Sequence, residues 1–438
     1  MKPNARQTIF GVVFLFLLVA GAFAIYKSLR PKGTVDPLNP PRVTVRFAML
    51  PYGDHTYAII GVRKGWFEEV GITLDYQSIT VDQAVPFLKN GSVDVASCPP
   101  GIIAAAYETN PGVGNFVFGS IFQGYAIMAQ PDRGYKSVDE FIAEGLSPND
   151  AIQAAAKQLT GRVFAYPSEA AIKPFIDLVI QQGGLSRNAF KALVLDDSLT
   201  VNAMRNKQAD FQVGGAPSHV VLQREGFKPI ITSNDIVRAA KPAPDSPELA
   251  SVFTDGWATT SEYYKRNYDT VLRLASVNFR ITKLMNDHQD EALALHMPYL
   301  TQVTGQSFTA ADGKAIYDSL DPFFTFEAQR DWYHNPQSPY YFRNLNGSLI
   351  GSFVTQGIYK KPPPSVDDII YADDVYYELE RLKTESDALF SRIQEGRLNE
   401  KSTEASDLYT RAKSFYDAYN YLDSKRLAER VIQLTQSQ

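Results

Sequence analysis

Val43-Thr-Val-Arg-Phe-Ala-Met-Leu50 reads as a buried strand, and the residues after it decide the fold. A polar turn, Pro51-Tyr-Gly-Asp-His55, leads into a helical pattern that ends Arg63-Lys-Gly-Trp-Phe-Glu-Glu-Val-Gly71. A second strand is expected at Ile72-Thr-Leu-Asp-Tyr76, a helix over Val81 to Leu88, and a third strand at Val93-Asp-Val-Ala-Ser97. Strand–helix–strand–helix–strand within about sixty residues is the pattern of a parallel α/β sheet.

The same unit recurs downstream. Gly161-Arg-Val-Phe-Ala-Tyr166 is a strand, Lys191 to Leu195 another, and Ala209 to Val213 a third. Asn206-Lys-Gln-Ala-Asp210 parallels Asn90-Gly-Ser-Val-Asp94, so a helix–turn–acidic-strand unit occurs once in each half. This weak repeat points to a duplicated architecture. Phe116 to Phe122 forms the last strand of the first half, and the chain leaves it near Tyr125. A helix over Ser137 to Leu159 follows; Ala239 to Leu249 reads as an irregular insertion, and the return is placed at Asp255 to Thr260. Helices are expected at Ser261 to Asn286, Asp290 to Thr304, Phe308 to Leu320 and Leu345 to Gly357, with a loop-rich stretch from Asp331 to Asn344.

The wording of the first unit matters as much as its order. Lys64-Gly-Trp-Phe-Glu-Glu-Val-Gly-Ile72 and Leu88-Lys-Asn-Gly-Ser-Val-Asp-Val-Ala96 resemble the first lobe of the solute-binding proteins that feed nitrate/sulfonate/taurine-type ABC importers. That family also includes binders of thiamine-pyrimidine precursors. The resemblance runs from about Val43 to Tyr377. It implies an α/β, two-lobe clamshell of the periplasmic-binding-protein type: lobe one over 43–122 plus 258–377, lobe two over 123–257. It further implies a receptor, not an enzyme. The receptor would sit in the periplasm or on the outer face of the cytoplasmic membrane, take a small-molecule ligand and dock on an ABC permease.

Both ends lie outside that frame. Ile9 to Ile25 is almost wholly apolar; at helical rise it measures about 26 Å, near the bilayer core of about 30 Å. Ala22-Phe23-Ala24 offers a signal-peptide cleavage site, while Lys27, Arg30 and Lys32 directly behind favour an uncleaved anchor. Residues 1–42 are thus expected to supply a membrane segment at 9–25 and a Pro-rich tether. At the other end, residues 378–438 read as a helical hairpin. Val375, Leu379, Leu382, Leu389 and Ile393 fall at three–four spacing, as do Leu408, Ala412, Phe415 and Tyr419, then Leu427, Val431 and Leu434. Such stripes demand burial, within the chain or on a protein partner.

A net charge of −5 gives no support for nucleic-acid binding, which usually shows a concentrated basic face. The single cysteine, Cys98, excludes an intrachain disulfide and the cysteine cluster of the fungal pyrimidine synthase that shares this fold. The five histidines show no metal-ligand spacing and no phosphate loop is present, so neither metal nor cofactor is expected.

In open parallel sheets, ligands bind beyond the carboxyl ends of the strands. Those ends supply the candidate ligand-binding set: Tyr52, Asp54, His55 and Thr56; Ser97 and Cys98; Phe122 and Gln123; Tyr166, Ser168 and Glu169; Gly214 and Gly215; Asp255 and Trp257. Asp54, His55 and Ser168 also suit helix caps, Gly214-Gly215 a tight turn, and Cys98 a buried core position. Carboxylates among strand-end aromatics suit a nitrogen heterocycle or an amine better than an oxyanion. Three alternatives stand beside the receptor: a tethered sensor or adaptor signalling through the C-terminal helices, a pyrimidine-synthase-like enzyme, and a structural protein without ligand.

Overall fold

The computed structural model describes residues 42–122, 124–241, 243–244, 246–320 and 323–436. The expected membrane segment at 9–25 and Gln123 lie outside the described residues. Among the described residues no helix is long and apolar enough to cross a membrane.

Alternation in Val43-Thr-Val-Arg-Phe sets one face of β1 (Val43–Met49) into the core, with Val45 and Phe47 fully buried. β1 pairs in parallel with β2 (Ile72–Ser78) and with β3 (Val95–Ser97). β4 (Val113–Phe122) is buried at all ten positions, as expected of a strand covered on both faces. The chain then crosses through Tyr125 into β5 (Ala126–Ala129), and a second sheet follows from β6 (Val163–Tyr166), β7 (Lys191–Val194), β8 (Phe211–Gly214) and β9 (Lys228–Thr232). β10 (Phe253–Thr260) returns to the first sheet. The strand orders are β2-β1-β3-β10-β4 and β7-β6-β8-β5-β9. Each sheet holds two parallel pairs and one antiparallel strand, β10 or β5.

The internal repeat has a physical basis. Asp94, just ahead of β3, accepts the Arg46 N–H at 2.9 Å and donates its own N–H to the Arg46 carbonyl at 2.9 Å. Asp210, just ahead of β8, does the same to Val163, at 3.0 and 2.9 Å. Each carboxylate thus fixes the register of a third strand on a first strand. The turns before them, at Gly91 and Lys207, are both left-handed, with φ of 74° and 57°.

Several boundaries differ from expectation. The helix expected over Ser137 to Leu159 is two, Val138–Ala143 and Pro148–Lys157. Gly145 at φ 98° ends the first, and Ser147 caps the second ahead of Pro148. The helix expected from Ser261 breaks at Asn267 into Ser261–Arg266 and Tyr268–Asp287. The stretch expected to be irregular begins inside a helix, Ser233–Ala240, and ends inside a 3₁₀ turn, Pro247–Ser251. A short helix, Gln329–His334, occupies part of the stretch expected to be loop.

The C-terminal region, expected to be a hairpin over 378–438, is three helices among the described residues, Ala372–Glu395, Thr403–Asp417 and Tyr421–Gln436. Its apolar stripes are satisfied within the chain: Leu379, Leu382, Ile393, Leu408, Ala412, Leu427 and Val431 are all buried. Phe390, not Leu389, continues the first stripe, and Ser386 fills its gap by bonding the Leu382 carbonyl at 2.8 Å. The third helix packs on Tyr268–Asp287 through a buried ion pair, Arg273–Asp423, at 2.8 Å.

Candidate functional site

The carboxyl ends of the parallel strands in both sheets face one cleft. The turn after β1 is tight: the N–H groups of His55 and Thr56 both bond the Tyr52 carbonyl at 3.1 Å. It presents Tyr52, Asp54 and His55 to the cleft, alongside Leu50. The segment after β6 adds Pro167 and Glu169, the turn after β7 adds Asp197, and the turn after β8 adds Gly215 and Ala216. The crossing segments supply Phe122, Tyr125, Phe253 and Thr254. The cavity is about 40 Å³, some three times the roughly 10–15 Å³ that one water requires.

The two sides touch. The Tyr52 hydroxyl donates to Oε1 of Glu169 at 2.5 Å. A Cβ at Gly215 would sit 3.3 Å from the Tyr52 ring, so a side chain there would crowd the approach. At the crossing, Phe122 and Phe253 pair across β4 and β10, and the Tyr125 ring stands edge-on to both, at 4.8 and 5.1 Å.

Charge in the cleft is of one sign. Asp54, Glu169 and Asp197 line it, and among the described residues no lysine or arginine does. Burial pushes the Glu169 carboxyl up to about 7; the Tyr52 hydrogen bond opposes this, and Asp197 and Asp54 add to it. Burial likewise raises Asp197 to about 6, against its hydrogen bonds from Ser218 and Gly215. Oδ1 of Asp197 is sealed from solvent without a hydrogen-bond partner. His55 bonds Ser97 Oγ at 2.6 Å, and burial lowers its pKa despite Asp54, so the imidazole is held neutral. Among the described residues no group of three or more His, Cys, Asp or Glu side chains is placed to hold a metal ion.

Tyr52, Asp54, His55, Phe122, Glu169 and Gly215 are therefore brought together. The others expected at the site lie elsewhere. Thr56 is buried, bonding the Tyr52 carbonyl and His296 Nε2. Ser97 backs His55, and Cys98 is fully buried, its thiol pushed well up by burial. Tyr166 packs on Phe164 at 5.3 Å, Ser168 is exposed, and Gly214 ends β8 beneath Asp197. Asp255 is buried and accepts from Ser120 Oγ at 2.6 Å. Trp257 is a core residue, stacked on Tyr57 and edge-on to Phe47. The sequence reading of strand ends passed over Asp197 and Phe253. For Asp197 the signal was present, as the acidic pair Asp196-Asp197 follows the strand ending at Leu195.

Two α/β units meeting across a cleft at their strand ends, joined by paired crossings, are the architecture of the two-lobe periplasmic binding proteins. The chain belongs to the NMT1-like family, whose sequence profile matches residues 38–296. No curated relative matches the sequence. Among solved structures, it is similar to the periplasmic aliphatic sulphonate binding protein SsuA from Escherichia coli. The two share 12% identity and a TM-score of 0.55, covering 77% of this chain and 99% of that one. The ligand binding component of an ABC-type import system from Staphylococcus aureus gives the same four figures. The alkanesulfonate-binding protein SsuA from Xanthomonas axonopodis pv. citri, bound to MOPS, shares 12% identity and a TM-score of 0.53 over 75% of this chain and 98% of its own. At such identity the likeness is one of fold.

Proposed function

We propose that the protein is an extracytoplasmic solute receptor that closes over a small molecule and delivers it to an ABC-type importer. The lobes follow the sheets: one carries β1–β4, β10 and the C-terminal helices, the other β5–β9. The observation that carries the reading is the cavity itself, lined from both sheets at their strand ends. A ligand there contacts both lobes and favours the closed state over the open one. The paired crossings at Phe122 and Phe253 are where a hinge would flex. Residues 9–25 would tether the receptor to the membrane of its importer, raising the effective concentration of that partner.

The adaptor alternative is weaker, because the C-terminal stripes it would use are buried within the chain. The synthase-like alternative is weaker too, because Cys98 is sealed in the core.

A thermal-shift screen of the full chain in detergent, against sulfonates, nitrate, amines and pyrimidines, tests the reading. A stabilising compound is expected also to compact the particle in small-angle scattering. Stabilisation without compaction would remove the clamshell mechanism.

A further inference from the structure

The cleft holds more carboxyl groups than its own structure explains. Asp197 stands beside the start of the helix Ala216–Arg224, accepting from Ser218 Oγ and the Gly215 N–H. Its Oδ1 is packed against Gly214, away from the cavity, without a hydrogen-bond partner. The free N–H groups at a helix N-terminus are where an oxyanion would ordinarily sit. Here the Asp197 carboxylate stands beside that place, so an oxyanion there would meet a like charge.

The remaining groups around the cavity are of the same kind. Tyr52, Asp54 and His55 come from the turn after β1, Tyr125 and Glu169 from the crossing and the segment after β6. Asp196 and Asp197 stand at the turn after β7, with His219 one turn into the helix Ala216–Arg224 and Asp255 behind in β10. Both histidines are held neutral by burial. An anion entering would meet three carboxyls and, among the described residues, no cation.

We propose that this cleft takes the head group of a small organic cation, an ammonium or amidinium, with Glu169 accepting its N–H donors, Asp54 and Asp197 adding negative charge, and Tyr52, Phe122, Tyr125 and Phe253 forming aromatic walls. This rests on the receptor reading and deepens it by naming the ligand class. A cavity of about 40 Å³ admits such a group and little more. Because Glu169 and Asp197 titrate near 7 and 6 when the cleft is empty, cation binding expels protons, and affinity falls as pH drops through that range.

The test uses the full chain in detergent with methylammonium and acetamidinium at millimolar concentration, set against nitrate, methanesulfonate and taurine. At least one cation is expected to raise the melting temperature. Titration calorimetry in buffers of different ionisation enthalpy should then show proton release between about pH 6 and 7. Glu169→Gln and Asp197→Asn should each weaken that cation roughly 10- to 100-fold, with the unliganded melting temperature at pH 8 unchanged or raised. Stabilisation by an oxyanion, undiminished in both variants, overturns the cation assignment and leaves the receptor reading standing. Silence from every member of both panels overturns both.

Discussion

The Tyr52 hydroxyl donates a 2.5 Å hydrogen bond to Oε1 of Glu169, joining the turn after β1 to the segment after β6 across the cleft. The two residues are 117 apart in sequence. The bond favours the ionised carboxylate, while burial favours the neutral one, and burial is the larger effect.

Tyr52→Phe removes that bond and little else. The unliganded protein is expected to lose about 0.5–1.5 kcal/mol of stability in a denaturant melt. The Glu169 carboxyl should titrate higher still, because the opposing hydrogen bond is gone; carboxyl-¹³C NMR would report it. A Glu169 titration that moves down would show that the hydroxyl does not serve the carboxylate.

The two raised carboxyls also fix a pH dependence. Unfolded Glu and Asp titrate near 4.3 and 3.9, against about 7 and 6 in the folded cleft. Between those values the folded state binds more protons than the unfolded one, so stability falls as pH rises. The contribution is on the order of a few kcal/mol, complete above pH 7 and relieved below pH 4. Wild type should therefore lose stability between pH 5 and 8 relative to the Glu169→Gln/Asp197→Asn double variant. Parallel pH profiles for the two proteins would refute the assignment.

The sheet architecture was legible because local pattern and long-range pairing agree. Asp94 and Asp210 mark strand starts in the sequence and fix register in the fold. Tyr52, Asp54, Glu169 and Gly215 were legible because they follow parallel strands, whose carboxyl ends share an edge. The same rule failed at Asp255 and Trp257. β10 runs antiparallel to β3 and β4, so its beginning, Phe253 and Thr254, faces the cleft and its later residues run away from it. Strand direction depends on the neighbours a strand finds, and no local pattern encodes that. The break at Gly145 was legible in Gly145-Leu-Ser-Pro148, a left-handed glycine followed by an N-cap serine and an N1 proline, and was passed over; the break at Asn267 was hidden, because the apolar spacing continues across it.

Trp257 supplies a control for the cleft. Its ring stacks on Tyr57 at 5.9 Å and meets Phe47 at 5.1 Å. Trp257→Phe should cost about 1–3 kcal/mol as a packing loss, while any ligand-induced thermal shift is retained. Loss of the shift in a variant that still melts cooperatively would place Trp257 back at the site.

The ion pair Arg273–Asp423 makes the C-terminal helices part of the fold. Both side chains are almost completely buried, at 3% and 1% exposure, and the contact is bidentate, at 2.8 and 2.9 Å. Asn420 donates to the same carboxylate at 2.8 Å, so its oxygens are well used. Removing one partner of such a pair strands a buried charge, whereas replacing both with apolar side chains is often neutral. Asp423→Ala is therefore expected to lose about 3–5 kcal/mol, and Arg273→Met/Asp423→Leu to recover most of it. Deleting residues 378–438 instead uncovers Arg273 together with the apolar surface of Tyr268–Asp287 that the helices cover, so the truncated chain should be recovered in lower yield whether or not it carries Arg273→Met. No residue of the three helices lines the cleft, so ligand affinity in the folded point variants should stay at the wild-type value. If Asp423→Ala melts like wild type, the helices are an appendage and the ion pair does not hold them.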